Sequence, residues 1–387
     1  MRILSTLTYY HPHWTGLTVV ARRLAEGLVA KGHAVTVLTS QHEPDLPLRQ
    51  DVDGVVVVRV PVAGRVSRTV IMPTFPLALI REVARADVVH LHTPMPEAAL
   101  IAAVARLMRT PVVITHHGDV VMPSVGLANR VVQRVMDAVT RWAMQLSNRV
   151  IVHTDDYRDH SAFLAPLVRR IGSIYPPVEI PAPRLEQAAA WRRELGLEDH
   201  PVIGFAGRFV EEKGFDFLLQ AIPFVRERLP TARFVFAGDT EIAYERFFER
   251  SLPFLEPVRD AVVELGLVGD AQRMADFYAM CDVFVLPSRT DCFAIVQVEA
   301  LLSGTPLVTS DIPGAREVVK VTGAGTLVPS GDPPALADGI VRVLAEPNRY
   351  RPDQALVHET FDPGSSIDRY EEVLRRVVDA GARRRRS

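Results

Sequence analysis

Short runs of β-branched and aliphatic residues alternate along the chain with stretches in which apolar residues return every three or four positions. In the first half, Ile3–Ser5, Val35–Thr39, Val55–Val60, Val88–Leu91, Val112–Thr115 and Val150–Val152 are predicted strands. In the second half, Val202–Phe205, Phe234–Ala237, Val262–Leu265, Val283–Leu286, Leu307–Thr309 and Thr326–Val328 read the same way. Runs this continuously apolar fit strands covered on both faces, the pattern of parallel βαβ units. Between the first two strands Leu17, Val20, Leu24 and Leu28 recur at helical spacing, and Gly32 follows as a stop. Further helices are predicted from about Phe215 and about Val296.

The pattern breaks at Tyr175-Pro176-Pro177-Val178-Glu179-Ile180-Pro181-Ala182-Pro183, where closely spaced prolines can neither extend a helix nor donate to a central strand. We therefore expect a first α/β unit over 1–174, a linker over 175–184 and a second α/β unit over 185–364. Each is read as doubly wound and Rossmann-like, with its ligand crevice beyond the carboxyl ends of the strands. Two such units facing each other would leave a cleft. A last helix over about 365–380 follows the second unit and is expected to pack back on the first.

Composition narrows the function. The chain is 48% apolar and 23% charged, as an ordinary globular protein is. A net charge of −2 argues against a nucleic-acid partner, whose binding rests on excess cations. The longest strictly apolar run, Ala98 to Ala105, is too short to cross a bilayer, and the first residues lack the apolar stretch of a secretory signal. Cys281 and Cys292 are the only cysteines, so a cytoplasmic home is expected. Of 44 basic residues only Lys31, Lys213 and Lys320 are lysines, which makes each worth inspecting.

Three stretches carry candidate chemistry. The first strand runs into Tyr9-Tyr10-His11-Pro12-His13-Trp14-Thr15-Gly16-Leu17, where a dinucleotide fold would carry three glycines and this chain has one. Rings with polar tips suit a carbohydrate, so Tyr10, His13 and Trp14 are acceptor-side candidates. The second stretch, Gly207-Arg208-Phe209-Val210-Glu211-Glu212-Lys213-Gly214, lies between a strand and a helix start. There a guanidinium and an ammonium can converge on one diphosphate; the competing reading pairs both cations with Glu211 and Glu212. The third runs from Pro287 to Ala300, with Asp291 in a turn and Glu299 on an otherwise apolar helix. A carboxylate so placed needs partners, and two adjacent ribose hydroxyls suit it. The peptide N–H groups around Phe293, Ala294 and Ile295, at the helix start, can meet further phosphate or sugar oxygens.

Taken in order, these stretches resemble the retaining glycosyltransferases of sequence family 4, which have the GT-B fold. The resemblance runs from Gly16 and Gly32-His33-Ala34-Val35 through His90-Leu91-His92 and Thr115-His116-His117 to Arg208 and Lys213. It closes with Asp291 and Glu299, Gly304-Thr305-Pro306 and Pro313-Gly314-Ala315-Arg316-Glu317. It implies that Arg208 and Lys213 hold the diphosphate of a nucleotide-sugar donor and that Glu299 holds its ribose. It also implies that Asp291 and the peptides after Phe293 face the transferred sugar, that Gly16 lies in the loop over the phosphates, and that His117 approaches the sugar. His92 joins the acceptor-side candidates. Acceptors in this family are carbohydrates and lipid-linked molecules, and no metal or other cofactor is expected. Three positions depart from the family pattern: Leu17 and Ala294 replace glycines, and Asp291 replaces the usual glutamate. If position 17 required a positive φ, Leu17 would be strained by about 1–2 kcal/mol.

Two other classes compete. His90, His92, His116 and His117, with Asp119, have spacings that could hold zinc in a metal-dependent hydrolase. A non-catalytic nucleotide-sugar binder is suggested by Leu17 and Ala294. At the surface, Arg130, Arg134 and Arg141 share a helical face and Arg383 to Arg386 form a basic tail, both attractive to anionic lipid at the inner face of the cell membrane. Val131, Val135, Val139, Trp142 and Leu146 fall opposite, and Asp137 stands at pairing distance among the arginines, so a solvated, salt-bridged face is the favoured expectation.

Overall fold

The computed structural model describes residues 1–66, 69–119, 127–240 and 246–386. Ser67 and Arg68 lie outside them, as do the side chains of Arg384–Arg386 in the basic tail. The chain forms two compact units, Met1–Pro177 with Pro363–Ser387, and Val178–Asp362.

Among the described residues the first unit carries ten strands: β1 (Arg2–Thr6), β2 (Ala34–Gln41), β3 (Arg49–Val52), β4 (Val55–Pro61), β5 (Gly64–Val66), β6 (Thr69–Ile71), β7 (Val88–Thr93), β8 (Val112–His116), β9 (Arg149–Val152) and β10 (Ile171–Ser173). Eight form one sheet in the order β10-β9-β8-β7-β1-β2-β4-β3, and β5 pairs with β6 in a separate hairpin. Within the large sheet only β3 is antiparallel. β7 and β8 are buried along their whole length, and with their Val, Leu and Ile residues they bury His90, His92 and His116. The C-terminal helix, Pro363–Arg386, belongs to this unit, where Tyr370, Leu374 and Val377 join the core of Ile3, Leu24, Val37 and Val113. It starts before and ends beyond the 365–380 read from the sequence.

The second unit has β11 (Val202–Ala206), β12 (Arg233–Ala237), β13 (Val262–Gly266), β14 (Val283–Leu286), β15 (Leu307–Ser310) and β16 (Gly325–Val328), all parallel, in the order β13-β12-β11-β14-β15-β16. The order reverses between β11 and β14, the place where a doubly wound sheet opens a ligand crevice at its carboxyl edge. Both cation-bearing and acid-bearing stretches leave the sheet there. Residues of the proline-rich segment are pinned to this unit: the guanidinium of Arg184 meets Asp276 at 2.6 Å and its backbone N–H donates to the same carboxylate.

Candidate active site

The loop after β11 and the loop after β14 are held together before any ligand enters. Gly214 has φ 66°, and a Cβ there would come within 1.9 Å of the Pro287 carbonyl oxygen, so only glycine allows this approach. Arg289 braces the same junction with paired hydrogen bonds to Asp216, at 2.7 and 2.6 Å, and one to the Glu211 carbonyl at 2.9 Å. Its guanidinium also lies 3.8 Å from the centre of the Phe217 ring. Sequence reading passed over Arg289, since its partners are more than seventy positions away.

The junction delivers Lys213 to Asp291, with Nζ 2.6 Å from Oδ2. Burial alone would lower the Lys213 pKa, but the carboxylates of Asp291 and Glu212 outweigh it and raise the lysine above its ordinary value. Arg208 pairs with Glu212 at 3.0 Å. Glu211 meets Arg250 at 3.4 Å, so the expected Glu211 and Glu212 neutralisation holds for Glu212 and Arg208, whereas Lys213 takes Asp291 instead.

Ala294 caps the Ile295–Leu302 helix with φ −93°, without a side-chain hydrogen bond to the helix start. Gly314, at φ 84°, lies so close to Cys292 that a Cβ would meet its carbonyl oxygen at 2.4 Å, fixing the turn that carries Asp291 and Phe293. Half-buried Glu299 stands on the helix one turn in, and the hydroxyl of fully buried Tyr278 donates to its Oε2 at 3.2 Å. Tyr278 is a second residue that sequence reading missed, since only packing brings the phenol to Glu299. Cys281 and Cys292 are buried thiols whose pKa values burial pushes up, which disfavours the thiolate at both.

In the first unit the aromatic loop divides. Tyr10 is fully buried in the hydrophobic core, which corrects its assignment as an acceptor contact. His13 packs in a ring cluster with Tyr9 and His42, at centroid distances of 4.7 and 5.5 Å, while Trp14 is 51% exposed. Thr15 and Thr18 form a reciprocal capping box that starts the Gly16–Ala30 helix. Leu17 lies inside that helix and is not among the positive-φ residues, so the strain anticipated there is absent. A Cβ on Gly16 would meet nothing within 4 Å, leaving the helix entrance open to a close-approaching ligand.

His92 is also corrected as an acceptor contact: it is 1% exposed, and its Nδ1 lies 2.9 Å from His117 Nε2. His117 Nδ1 in turn lies 3.1 Å from His153 Nε2. His90 bonds Thr115 at 2.8 Å, and His116 bonds Thr93 and Asp119 at 3.0 Å each. Burial, reinforced by neighbouring imidazoles, pushes His92 and His117 well below the ordinary histidine range, and burial pushes His90 down to about 4. These histidines spend their nitrogens on one another and on hydroxyls, and among the described residues no group of three or more His, Cys, Asp or Glu is placed to hold a metal ion. The hydrolase reading loses its support.

The Leu127–Leu146 helix departs from expectation. Among the described side chains its buried residues are Thr140, Ala143 and Met144, leaving Val131, Val135 and Trp142 more than half exposed. Asp137 accepts from Gln133 at 2.9 Å rather than from an arginine, and Arg141 lies 4.9 Å from the centre of the Phe163 ring. No helix among the described residues is long and apolar enough to cross a membrane.

Known proteins share this architecture. The family model of glycosyltransferase family 4 matches residues 14–180, and that of glycosyl transferases group 1 matches residues 200–346. The chain is 30% identical over 365 residues to an uncharacterized glycosyltransferase of Methanocaldococcus jannaschii, covering 89% of this chain and 90% of that one. It is 30% identical over 336 residues to a phosphatidyl-myo-inositol mannosyltransferase of Mycobacterium leprae, covering 83% and 82%. The solved structure of HepE from Anabaena, in complex with UDP and glucose, matches with a TM-score of 0.76 at 18% identity, covering 97% of this chain and 99% of that one. The chain belongs to the family 4 glycosyltransferases and has the GT-B fold.

Proposed function

We propose that the protein transfers a hexosyl group from a UDP- or GDP-sugar to an acceptor hydroxyl with retention of anomeric configuration, in the synthesis of a glycolipid, polysaccharide or small glycoside. The observation that carries this reading is the convergence of Arg208, Lys213 and Asp291 at the β11/β14 reversal, with Glu299 on the adjoining helix. The UDP-bound state of HepE supports a nucleotide donor.

In the proposed reaction the bond from the anomeric carbon to the diphosphate oxygen breaks as the bond to the acceptor oxygen forms on the same face. The acceptor proton passes to the departing phosphate. Arg208 and Lys213 meet the negative charge that grows on the leaving group, an interaction stronger in the transition state than in the ground state. Glu299, held by Tyr278, accepts from the ribose hydroxyls. Asp291 serves Lys213 first and the sugar second. No metal is required by this scheme, because two cations oppose the diphosphate.

The M. leprae relative is named for a phosphatidyl-inositol acceptor, which supports a lipid-linked acceptor among the alternatives. Exposed Val131, Val135 and Trp142, interleaved with Arg130 and Arg134, support peripheral contact with the cytoplasmic face of the cell membrane. A melting-temperature screen against UDP-, GDP- and ADP-sugars, followed by NMR of the product, tests the reading. One donor class should raise the melting temperature and give product with the donor's anomeric configuration. No stabilisation by any donor, or an inverted product, would overturn it.

A further inference from the structure

Three neighbouring parallel strands bring three imidazoles together in the first unit. His92 on β7 is opposite Thr115 on β8, which is opposite Ile151 on β9, and His117 and His153 directly follow β8 and β9. Their rings form a row, His92 Nδ1 to His117 Nε2 at 2.9 Å and His117 Nδ1 to His153 Nε2 at 3.1 Å. The outer rings are 1% and 2% exposed, so water does not compete for them.

A neutral imidazole has one N–H and one lone pair. His117 must therefore donate at one nitrogen and accept at the other, and both neighbours must match it. Only two neutral arrangements satisfy both bonds: all three rings protonated at Nδ1, or all three at Nε2. Burial disfavours a charged ring at His92, His117 and His153. His90, bonded to Thr115, lies 4.3 Å from the His92 ring centre, and Tyr370 of the C-terminal helix lies 5.8 Å from His90. His116 is engaged with Thr93 and with Asp119 rather than with the row.

We propose that His92 and His153 are positioning residues that hold His117 in one neutral tautomer, through the row of hydrogen bonds that links His92, His117 and His153. The functional consequence rests on the reading of His117 as the histidine beside the transferred sugar. A ring committed at both nitrogens neither gives nor takes the acceptor proton. It offers the sugar a fixed ring edge and peptide carbonyl instead. His153→Leu removes the partner of His117 Nδ1, whereas His153→Gln, whose amide can donate or accept, can keep one near the lost Nε2.

Long-range proton–nitrogen NMR of the histidine-labelled protein without ligand, between pH 5.5 and 8, reads the tautomers directly. The expected spectrum shows all three rings protonated at the same nitrogen, throughout the range. In His153→Leu the His117 signals should shift toward mixed tautomers and titrate, and His153→Gln should restore them. With donor and acceptor, the leucine variant should lose about tenfold in kcat with little change in KM, and should gain an acid limb in its pH profile that the glutamine variant lacks. A wild-type row of mixed tautomers, a row that titrates, or a leucine variant with unchanged His117 signals and pH profile would overturn the proposal. If the leucine variant does not fold, the wild-type spectrum decides alone. Because the spectrum needs no donor, a single-tautomer row in a protein without transferase turnover would count against the transfer reading and not against the row.

Discussion

Lys213 and Asp291 stand 78 positions apart in the chain and 2.6 Å apart in space. Lys213, the cation proposed to meet a diphosphate, is thus already matched to a carboxylate, as Arg208 is to Glu212. The carboxylate favours the charged form of the buried lysine, and in the proposed reaction the diphosphate would exchange one set of negative oxygens for another.

Replacing Asp291 by Asn should leave Lys213 buried without its main partner. Breaking a pair of this kind costs about 3 kcal/mol, and here the lysine keeps 19% of its surface exposed, so a smaller loss of about 2 kcal/mol is expected by denaturant titration. In the wild type the raised Lys213 pKa contributes stability below its ordinary value of 10.5 that is lost only as pH climbs through the higher folded value. In the variant burial prevails, the pKa drops, and diphosphate binding should weaken on the alkaline side at a lower pH than in the wild type. Parallel pH profiles of binding would contradict this.

Tyr278→Phe removes the hydroxyl that donates to Glu299. A hydrogen bond to a charged group is worth about 1.5 kcal/mol, so KM for the donor should rise about tenfold with kcat nearly unchanged. A fall in kcat at constant KM would place Tyr278 in the chemical step instead.

Glu371 joins the C-terminal helix to the first unit, accepting from His33 at 3.0 Å and pairing with Lys31 at 3.3 Å and with Arg375 at 2.7 Å. Hydrogen bonds from Arg375 and then His33 lower its pKa from 4.5 to about 2. A depressed carboxylate stabilises the fold above its unfolded pKa and loses that contribution as pH falls through the folded one. Melting temperature should therefore fall between pH 4.5 and 2 in the wild type and fall less steeply in Glu371→Gln. Equal slopes would remove Glu371 as the cause.

The exposed side of the Leu127–Leu146 helix predicts binding to vesicles containing phosphatidylglycerol, with a blue shift of tryptophan emission abolished by Trp142→Ala. Flotation unaffected by Trp142→Ala and Val135→Ser together would place any membrane contact elsewhere.

Much of this architecture is legible along the chain because buried parallel strands are rich in Val, Ile, Leu and Phe. β3, with Arg49, Gln50 and Asp51, escaped notice because an edge strand takes its geometry from its neighbour β4 rather than from its own pattern. β10 is only three residues long and includes Gly172, and it depends on β9 in the same way. At the site, Arg208, Lys213 and Glu299 stand out by residue type and position. Their partners do not, because Tyr278, Arg289 and the contact of Gly214 with Pro287 arise only when distant strands lie side by side. Tyr10 misled for the complementary reason. An aromatic ring in a polar loop has the same local sequence whether it faces a sugar or the core.

The central claim is that Arg208 and Lys213 hold the diphosphate of the donor. Calorimetric titration of UDP and GDP into the wild type, Lys213→Ala and the surface control Lys320→Ala tests it most directly. One nucleotide should bind the wild type and the control alike, and Lys213→Ala should weaken it at least about tenfold while turnover falls by about 10²–10³. Equal affinity and turnover in a folded Lys213→Ala protein would contradict the account.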